Sequence, residues 1–248
     1  MGFPKAVTSV AVKRVGGAAF RVGFAEMSGW RPSMEDAHVI HFRDTWGCFG
    51  IFDGHGGDQC SRFISRRFSE ELTKNGMPES DEAVTELALR LDKEFLDSNE
   101  PSGSTGTFVM LQAPSAPGGK YQLRVGNIGD SRVLLGRADG SIFPSAGVVR
   151  SAESMSLVSK GGRQEMGVPR VNGLAVSRAF GATLSVRRWE EQPVSCAPEL
   201  QAFTASHTDF LIVVCDGISE GNFPSKAVVG HWQCHSTCRM RQQPYFDG

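Results

Sequence analysis

Residues 28–58 read SGWRPSMEDAHVIHFRDTWGCFGIFDGHGGD, and both the fold and the chemistry turn on this stretch. Its apolar run Phe49-Gly50-Ile51-Phe52 has the character of a buried strand, and Asp53 stands where the run ends. Gly54, Gly56 and Gly57 follow, residues that let a backbone turn sharply and approach a ligand closely. A strand that delivers a carboxylate into a glycine-rich turn suits a hard cation. Carboxylate and backbone-carbonyl oxygens favour Mg2+ or Mn2+ over zinc. Glu35 and Asp36 alone would read as a solvated pair. With Arg31, His38, Asp53, His55 and Asp58 they form a charged set within about one supersecondary unit.

Working outward, 20–27 alternates in part and reads as a strand, 37–42 as another and 48–53 as a third. Their short connections predict antiparallel pairing. Phe63, Ile64, Phe68 and Leu72 then recur at helical spacing until Asn75-Gly76 stops the helix. Ser80 is an N-cap for a second helix, with Asp81 and Glu82 in its first turn and Val84, Leu87, Leu91 and Phe95 on its apolar face. The pattern returns to β over 105–111, 121–127 and 132–137, and 210–215 is a continuous apolar run expected of a central strand. Two amphipathic helices suit a layer on one face of a sheet. The pattern alone gives an α+β class with antiparallel strands and one domain. Residues 1–17 show no periodicity and read as a flexible arm.

The chain of 248 residues, 40% hydrophobic, can bury a substantial core. Its 26 basic and 27 acidic residues leave a formal charge of -1, which argues against nucleic acid or an anionic membrane as the main partner, although Arg62, Arg66 and Arg67 cluster. Six scattered cysteines fit a reducing compartment, and Cys48 and Cys215, inside apolar runs, read as small core residues. No secretory or spanning segment is evident, which points to the cytoplasm or nucleus. A cysteine-based phosphatase would need an arginine where Gly221 stands, and Gly118-Gly119-Lys120 is followed by Tyr121, so it is not a nucleotide P-loop.

SGWRPSMEDAH with FDGHGG, then GSTGT (103–107), NIGDSRVLLGR (127–137), RVNGLAVSRAFG (170–181) and LIVVCDGISE (211–220), resembles in order and spacing the metal-dependent serine/threonine protein phosphatases of type 2C. The resemblance implies two packed antiparallel β-sheets flanked by helices, an αββα sandwich. It implies hydrolysis of phosphoserine and phosphothreonine in proteins by a metal-bridged hydroxide, with two Mg2+ or Mn2+ ions and phosphorylated proteins as substrates. By the same resemblance Asp53 bridges the metals, the Gly54 carbonyl holds one, and Asp216 is the second direct ligand. Glu35 and Asp36 orient metal-bound water, while Asp130 and Glu220 match positions that hold a third, weaker ion. Arg31 clamps the substrate phosphate and His55 protonates the leaving oxygen.

The chain departs from the family pattern in three places. SAESMSLVSKGG (151–162) stands where an Asp-His-Lys-Pro block and a basic helix are usual. Ala182-Thr183-Leu184 replaces an Asp and an aromatic after AVSRAFG. After Glu220 no Asp-Asn pair occurs, so the domain reads as C-terminally incomplete. The expected division is an arm (1–17), a truncated phosphatase domain (18–220) and an atypical tail (221–248). His231, Cys234, His235 and Cys238 in that tail do not match the spacing of a common zinc finger. Two functions stay open: a monomeric phosphatase, or a catalytically weak relative that binds phosphoproteins or regulates a partner.

Overall fold

The computed structural model describes residues 7–144, 163–165, 168–170, 176, 178–182 and 194–219. Strands β1 (Ala11–Gly16) and β2 (Arg21–Glu26) form an antiparallel ribbon. They are followed by β3 (Ala37–Phe42), β4 (Trp46–Phe52), the two-residue β5 (Gly54–His55), α1 (Gln59–Asn75) and α2 (Asp81–Leu96). After the helices come β6 (Gly103–Ser104), β7 (Gly106–Gln112), β8 (Tyr121–Ile128), β9 (Arg132–Gly136) and β10 (Ile142–Pro144). Strands β11 (Arg163–Glu165) and β12 (Val168–Arg170) pair with each other, and β13 (Glu199–Ala205), β14 (Phe210–Val214) and the short α3 (Asp216–Ser219) complete the described chain. The arm expected over 1–17 is corrected for Ala11–Gly16. That strand is held by backbone pairing to β2 and leaves most of its side chains exposed, so no burial pattern marks it in the sequence.

Two antiparallel sheets carry the molecule. One has five strands in the order β13-β8-β7-β4-β3, the other three in the order β10-β9-β14. Strand β7 is central to the larger sheet, and its alternation shows how the layers are set. Phe108 and Met110 face the helices, packing in one cluster with Phe52, Phe68, Ile64, Leu91 and Phe95. Val109 and Leu111 face the other way, in a cluster with Val133 and Leu135 of β9 and with Leu211 and Val213 of β14. Each large side chain buried in these clusters contributes about 1.5–3 kcal/mol. Strand β14 is covered on both faces as its apolar run demands: Ile212 and Val214 pack on Leu134, opposite Leu211 and Val213. Among the described residues β14 pairs with β9 alone.

The helices follow the local rules of their sequence. Ser80 caps α2, its hydroxyl accepting from the Ala83 N–H at 3.2 Å. Gly76 ends α1 at φ 78° and donates its N–H to the Leu72 carbonyl at 3.1 Å. Between the two helices lies an ion network. Arg67 of α1 reaches Glu94 of α2 at 2.9 Å, and Arg90 of α2 reaches the buried Glu71 of α1 at 2.9 Å. Hydrogen bonding from Arg90 holds the Glu71 carboxyl down at about 2. This depressed value stabilises the fold above the ordinary carboxylate range, and the contribution is lost as pH falls through that range toward 2. Glu71→Gln should therefore cost about 1–2 kcal/mol at pH 7 and nothing near pH 2, read from denaturant melts at both values.

No described helix is long and apolar enough to cross a membrane. The segment 151–162, Thr183-Leu184, Glu220 and the whole of 221–248 lie outside the described residues.

Candidate active site

The loop after β4 is built by backbone constraint. Gly54 packs so tightly that a Cβ there would overlap the Glu35 carbonyl oxygen and press on the Gly57 carbonyl and the Ser61 hydroxyl. Ser61 Oγ donates to that same Glu35 carbonyl, so α1 grips the segment before β3. The pairing of β5 with β6 then lays DGH against GSTGT, with Gly54 opposite Ser104 and His55 opposite Gly103. Gly103 must lack a side chain because the His55 imidazole lies against its backbone.

Hydroxyls fasten the end of β4. Thr105 N–H donates to the Asp53 carbonyl at 2.8 Å, and Asp53 N–H donates to Thr105 Oγ1 at 3.3 Å. Ser104 Oγ donates to the Asp53 carbonyl at 3.2 Å, and Thr105 Oγ1 lies 3.3 Å from Ser131 Oγ beside Asp130. The Asp53 backbone is thus tied to both the β6–β7 junction and the β8–β9 turn. Phe180 exchanges backbone hydrogen bonds with Ser104, and Gly181 N–H donates to the Asp92 carboxylate on α2 at 2.7 Å. That contact anchors the AVSRAFG segment to the helical layer.

Strands β4 and β14 belong to facing sheets, and the aspartates that follow them meet. Oxygens of Asp36 and Asp53 and the sulfur of Cys215 all lie within 4.8 Å of one another. Burial, and then the neighbouring Asp36 and Asp216 carboxylates, push the Asp53 carboxyl up to about 8, with Asp130 adding to the effect. Burial also raises Asp36, which is hydrogen bonded to Cys215 and Asp53. The Cys215 thiol is pushed up by burial and by the same carboxylates. Burial lowers His55, opposed by the charge of Glu35.

Of the residues singled out from sequence, Asp36, Asp53, Asp130 and Asp216 converge, and Glu35, Gly54 and His55 adjoin them. Arg31 sits exposed in the turn that its N–H closes on the Ser28 carbonyl at 3.1 Å. His38 packs against the Phe24 ring at 3.8 Å, a structural place. Glu220 lies outside the described residues. Cys215 is corrected: it is no simple core residue, since its sulfur borders the carboxylate cluster. Thr105 and Asp92 also escaped the sequence reading. For Thr105 the one available signal is its place between glycines in GSTGT.

The model of the protein phosphatase 2C family matches residues 20–229. The chain belongs to the protein phosphatase 2C family. The Paramecium tetraurelia protein named "Probable protein phosphatase 2C 4" is 33% identical over 224 residues, covering 79% of this chain and 71% of its own. Protein phosphatase 2C homolog 3 of Schizosaccharomyces pombe is 34% identical over 218 residues, covering 79% of this chain and 50% of its own. The fold is also that of a phosphatase from Toxoplasma gondii, with TM-score 0.72 at 24% identity, covering 92% of this chain and 83% of that one. Membership in the protein phosphatase 2C family brings its activity, the metal-dependent dephosphorylation of serine and threonine in proteins.

The residues present fit such metals. Four aspartates drawn together by the ends of two facing sheets repel one another, and divalent cations relieve that repulsion. The donors of the cluster are carboxylate oxygens, the hard set that suits Mg2+ or Mn2+, with the Cys215 sulfur at their border.

Proposed function

We propose that this chain hydrolyses phosphoserine and phosphothreonine in proteins at the Asp53–Asp216 cluster, with two Mg2+ or Mn2+ ions. The observation that carries the reading is the convergence of Asp36, Asp53 and Asp216 from separate elements, where burial and then the neighbouring carboxylates hold Asp53 up at about 8. Asp53, the Gly54 carbonyl and Asp216 would be the direct protein ligands of the ions, with Asp53 serving both, and Glu35 and Asp36 would orient bound water. Asp130, with Glu220, would hold a third and weaker ion. Bound there, the cations would neutralise phosphoryl charge and acidify water to near-neutral pKa. The unit that does this spans 18–220 and works as a monomer on phosphoproteins in the cytoplasm or nucleus, without nucleic acid or membrane.

The chain's own groups handle the substrate. The planar Arg31 guanidinium pairs two phosphoryl oxygens, and its exposed position leaves it free to meet an arriving ester. Arg31→Ala is expected to raise KM for a phosphothreonine peptide about tenfold while calorimetric Mn2+ affinity stays unchanged. Loss of metal binding in this variant would make Arg31 structural.

His55 donates its ring proton to the leaving alkoxide, held in place by Gly103. His55→Gln should slow alkyl phosphates about a hundredfold and aryl phosphates, whose leaving groups need no proton, less than threefold. The acid form exists below a pKa that burial has lowered. Turnover of alkyl phosphates should therefore fall as pH rises through a value under the usual imidazole range, and that limb should vanish in the variant. Equal slowing of both ester classes would remove His55 from the role.

The overall reading is tested by phosphate release from a phosphothreonine peptide with and without millimolar Mn2+. Metal-dependent release supports the phosphatase. Peptide binding without release selects the phosphoprotein-binding alternative.

A further inference from the structure

Strand β3 is the outermost strand of the five-stranded sheet. It pairs with β4 from Ala37 to Phe42, and among the described residues no strand takes its other edge. That edge opens into a groove of about 540 Å³. His38 and Ile40 of β3 form part of its floor, Arg66, Ser69 and Thr73 of α1 one wall, and Lys13 of β1 the other. The groove therefore runs along a strand edge, between the helical layer and the β1–β2 ribbon. An open edge offers a row of backbone N–H and C=O groups, which is the template for an added strand.

Charge selects the occupant. Lys13 and Arg66 are exposed cations on opposite walls. The one carboxylate lining the groove, Glu70, already pairs with Arg66 and Arg67 at 2.8 Å each. Arg66 and Glu70 offset each other, so the lining keeps its net positive charge at Lys13, and an acidic strand is favoured over a basic one. Position gives the groove its use. Ala37, the first residue of β3, directly follows Asp36 of the carboxylate cluster. At about 3.3 Å per residue, a strand added at His38 ends within roughly 10 Å of the cluster.

We propose that the β3 edge receives an extended acidic segment of the protein substrate as an added strand, its carboxylates facing Lys13 and Arg66. Naming the partner as a substrate rests on the phosphatase reading above; the strand addition itself does not. Main-chain hydrogen bonds supply affinity, the net positive charge of the lining chooses the sequence, and the strand's end delivers the neighbouring phosphoresidue to the metal centre.

The test uses the full chain and a fluorescein-labelled, unphosphorylated eight-residue peptide alternating threonine with glutamate, beside a counterpart with lysine for glutamate. Anisotropy should show binding of the glutamate peptide, weakened at least tenfold by Lys13→Glu with Arg66→Glu. The lysine peptide should prefer the charge-reversed variant. Amide hydrogens of residues 37–42 should exchange more slowly with the glutamate peptide bound. Both substitutions lie on exposed positions away from the cluster, so Mn2+-dependent hydrolysis of p-nitrophenyl phosphate should not change. Binding without protection of 37–42, binding indifferent to charge reversal, or no binding at millimolar peptide would each overturn the proposal. Concentration-dependent doubling of mass with protection of 37–42 in the absence of peptide would assign the edge to a second copy and overturn it too. Lack of hydrolysis by the unaltered chain would count against the phosphatase reading alone, since peptide binding is read without turnover.

Discussion

Asp53→Asn should reduce kcat/KM for a phosphothreonine peptide by about 10³ or more, equivalent to roughly 4 kcal/mol of transition-state stabilisation. The bridging carboxylate is the one group proposed to serve both ions, so its loss removes the pair rather than weakening one member. The same change should act oppositely on the metal-free fold. Asp53 is pushed up to about 8 by burial and by Asp36 and Asp216, well above its unfolded value. A carboxyl raised in this way binds more protons folded than unfolded between about pH 4 and pH 8. Its charge therefore costs stability progressively as pH rises across that window, and the cost is fully present above it. In the presence of a chelator the wild-type melting temperature should fall over this window. Asp53→Asn should match it near pH 4 and lie above it at pH 8, with a shallower slope because Asp36 is still raised. Parallel melting curves for the two chains, or turnover within tenfold of wild type, would remove Asp53 from the centre of the site.

Gly54→Ala should be the most damaging of the small substitutions. A methyl group at 54 meets backbone on two sides, the Glu35 and Gly57 carbonyls, with the Ser61 hydroxyl on a third. Backbone cannot swing aside as a side-chain tip can, so the β5 turn must shift and carry Asp53 and His55 with it. Overpacking of this kind costs about 1–3 kcal/mol, and the displaced turn should lose Mn2+ binding as well. Gly23→Ala is the control: nothing lies within 4 Å of a Cβ there, and its φ is outside the left-handed region. That variant should melt within about 0.5 kcal/mol of wild type. If Gly54→Ala behaves like Gly23→Ala in both melting and metal titration, the close packing of Gly54 on Glu35 has no functional weight.

Much of this could be read from the chain because the determining features are local. The helical spacing of Phe63, Ile64, Phe68 and Leu72, the Ser80 cap and the Gly76 stop each depend on residues within a turn or two, and each is found in place. Asp53 and Asp216 were legible as residues that end apolar strands. Their meeting needs β4 and β14 in facing sheets, which follows only from the tertiary arrangement. Strand β1 was missed because backbone pairing holds it while its side chains stay exposed. Cys215 was misread for a related reason. Its apolar neighbours suggested core, yet the strand ends one residue before it and turns its sulfur toward Asp36 and Asp53. Asp92 carried no sequence mark, since its partner, the Gly181 N–H, is remote in the chain and comes from the backbone.

The most direct measurement is electron paramagnetic resonance of the chain titrated with Mn2+. Two ions sharing the Asp53 carboxylate are exchange-coupled and give a broad multiline spectrum, whereas separate ions keep the six-line pattern of isolated Mn2+. The expected result is a coupled spectrum that grows to two equivalents in the wild-type chain and is absent from Asp53→Asn. A six-line spectrum at every ratio, or a coupled spectrum that survives Asp53→Asn, would contradict a dinuclear centre built on Asp53.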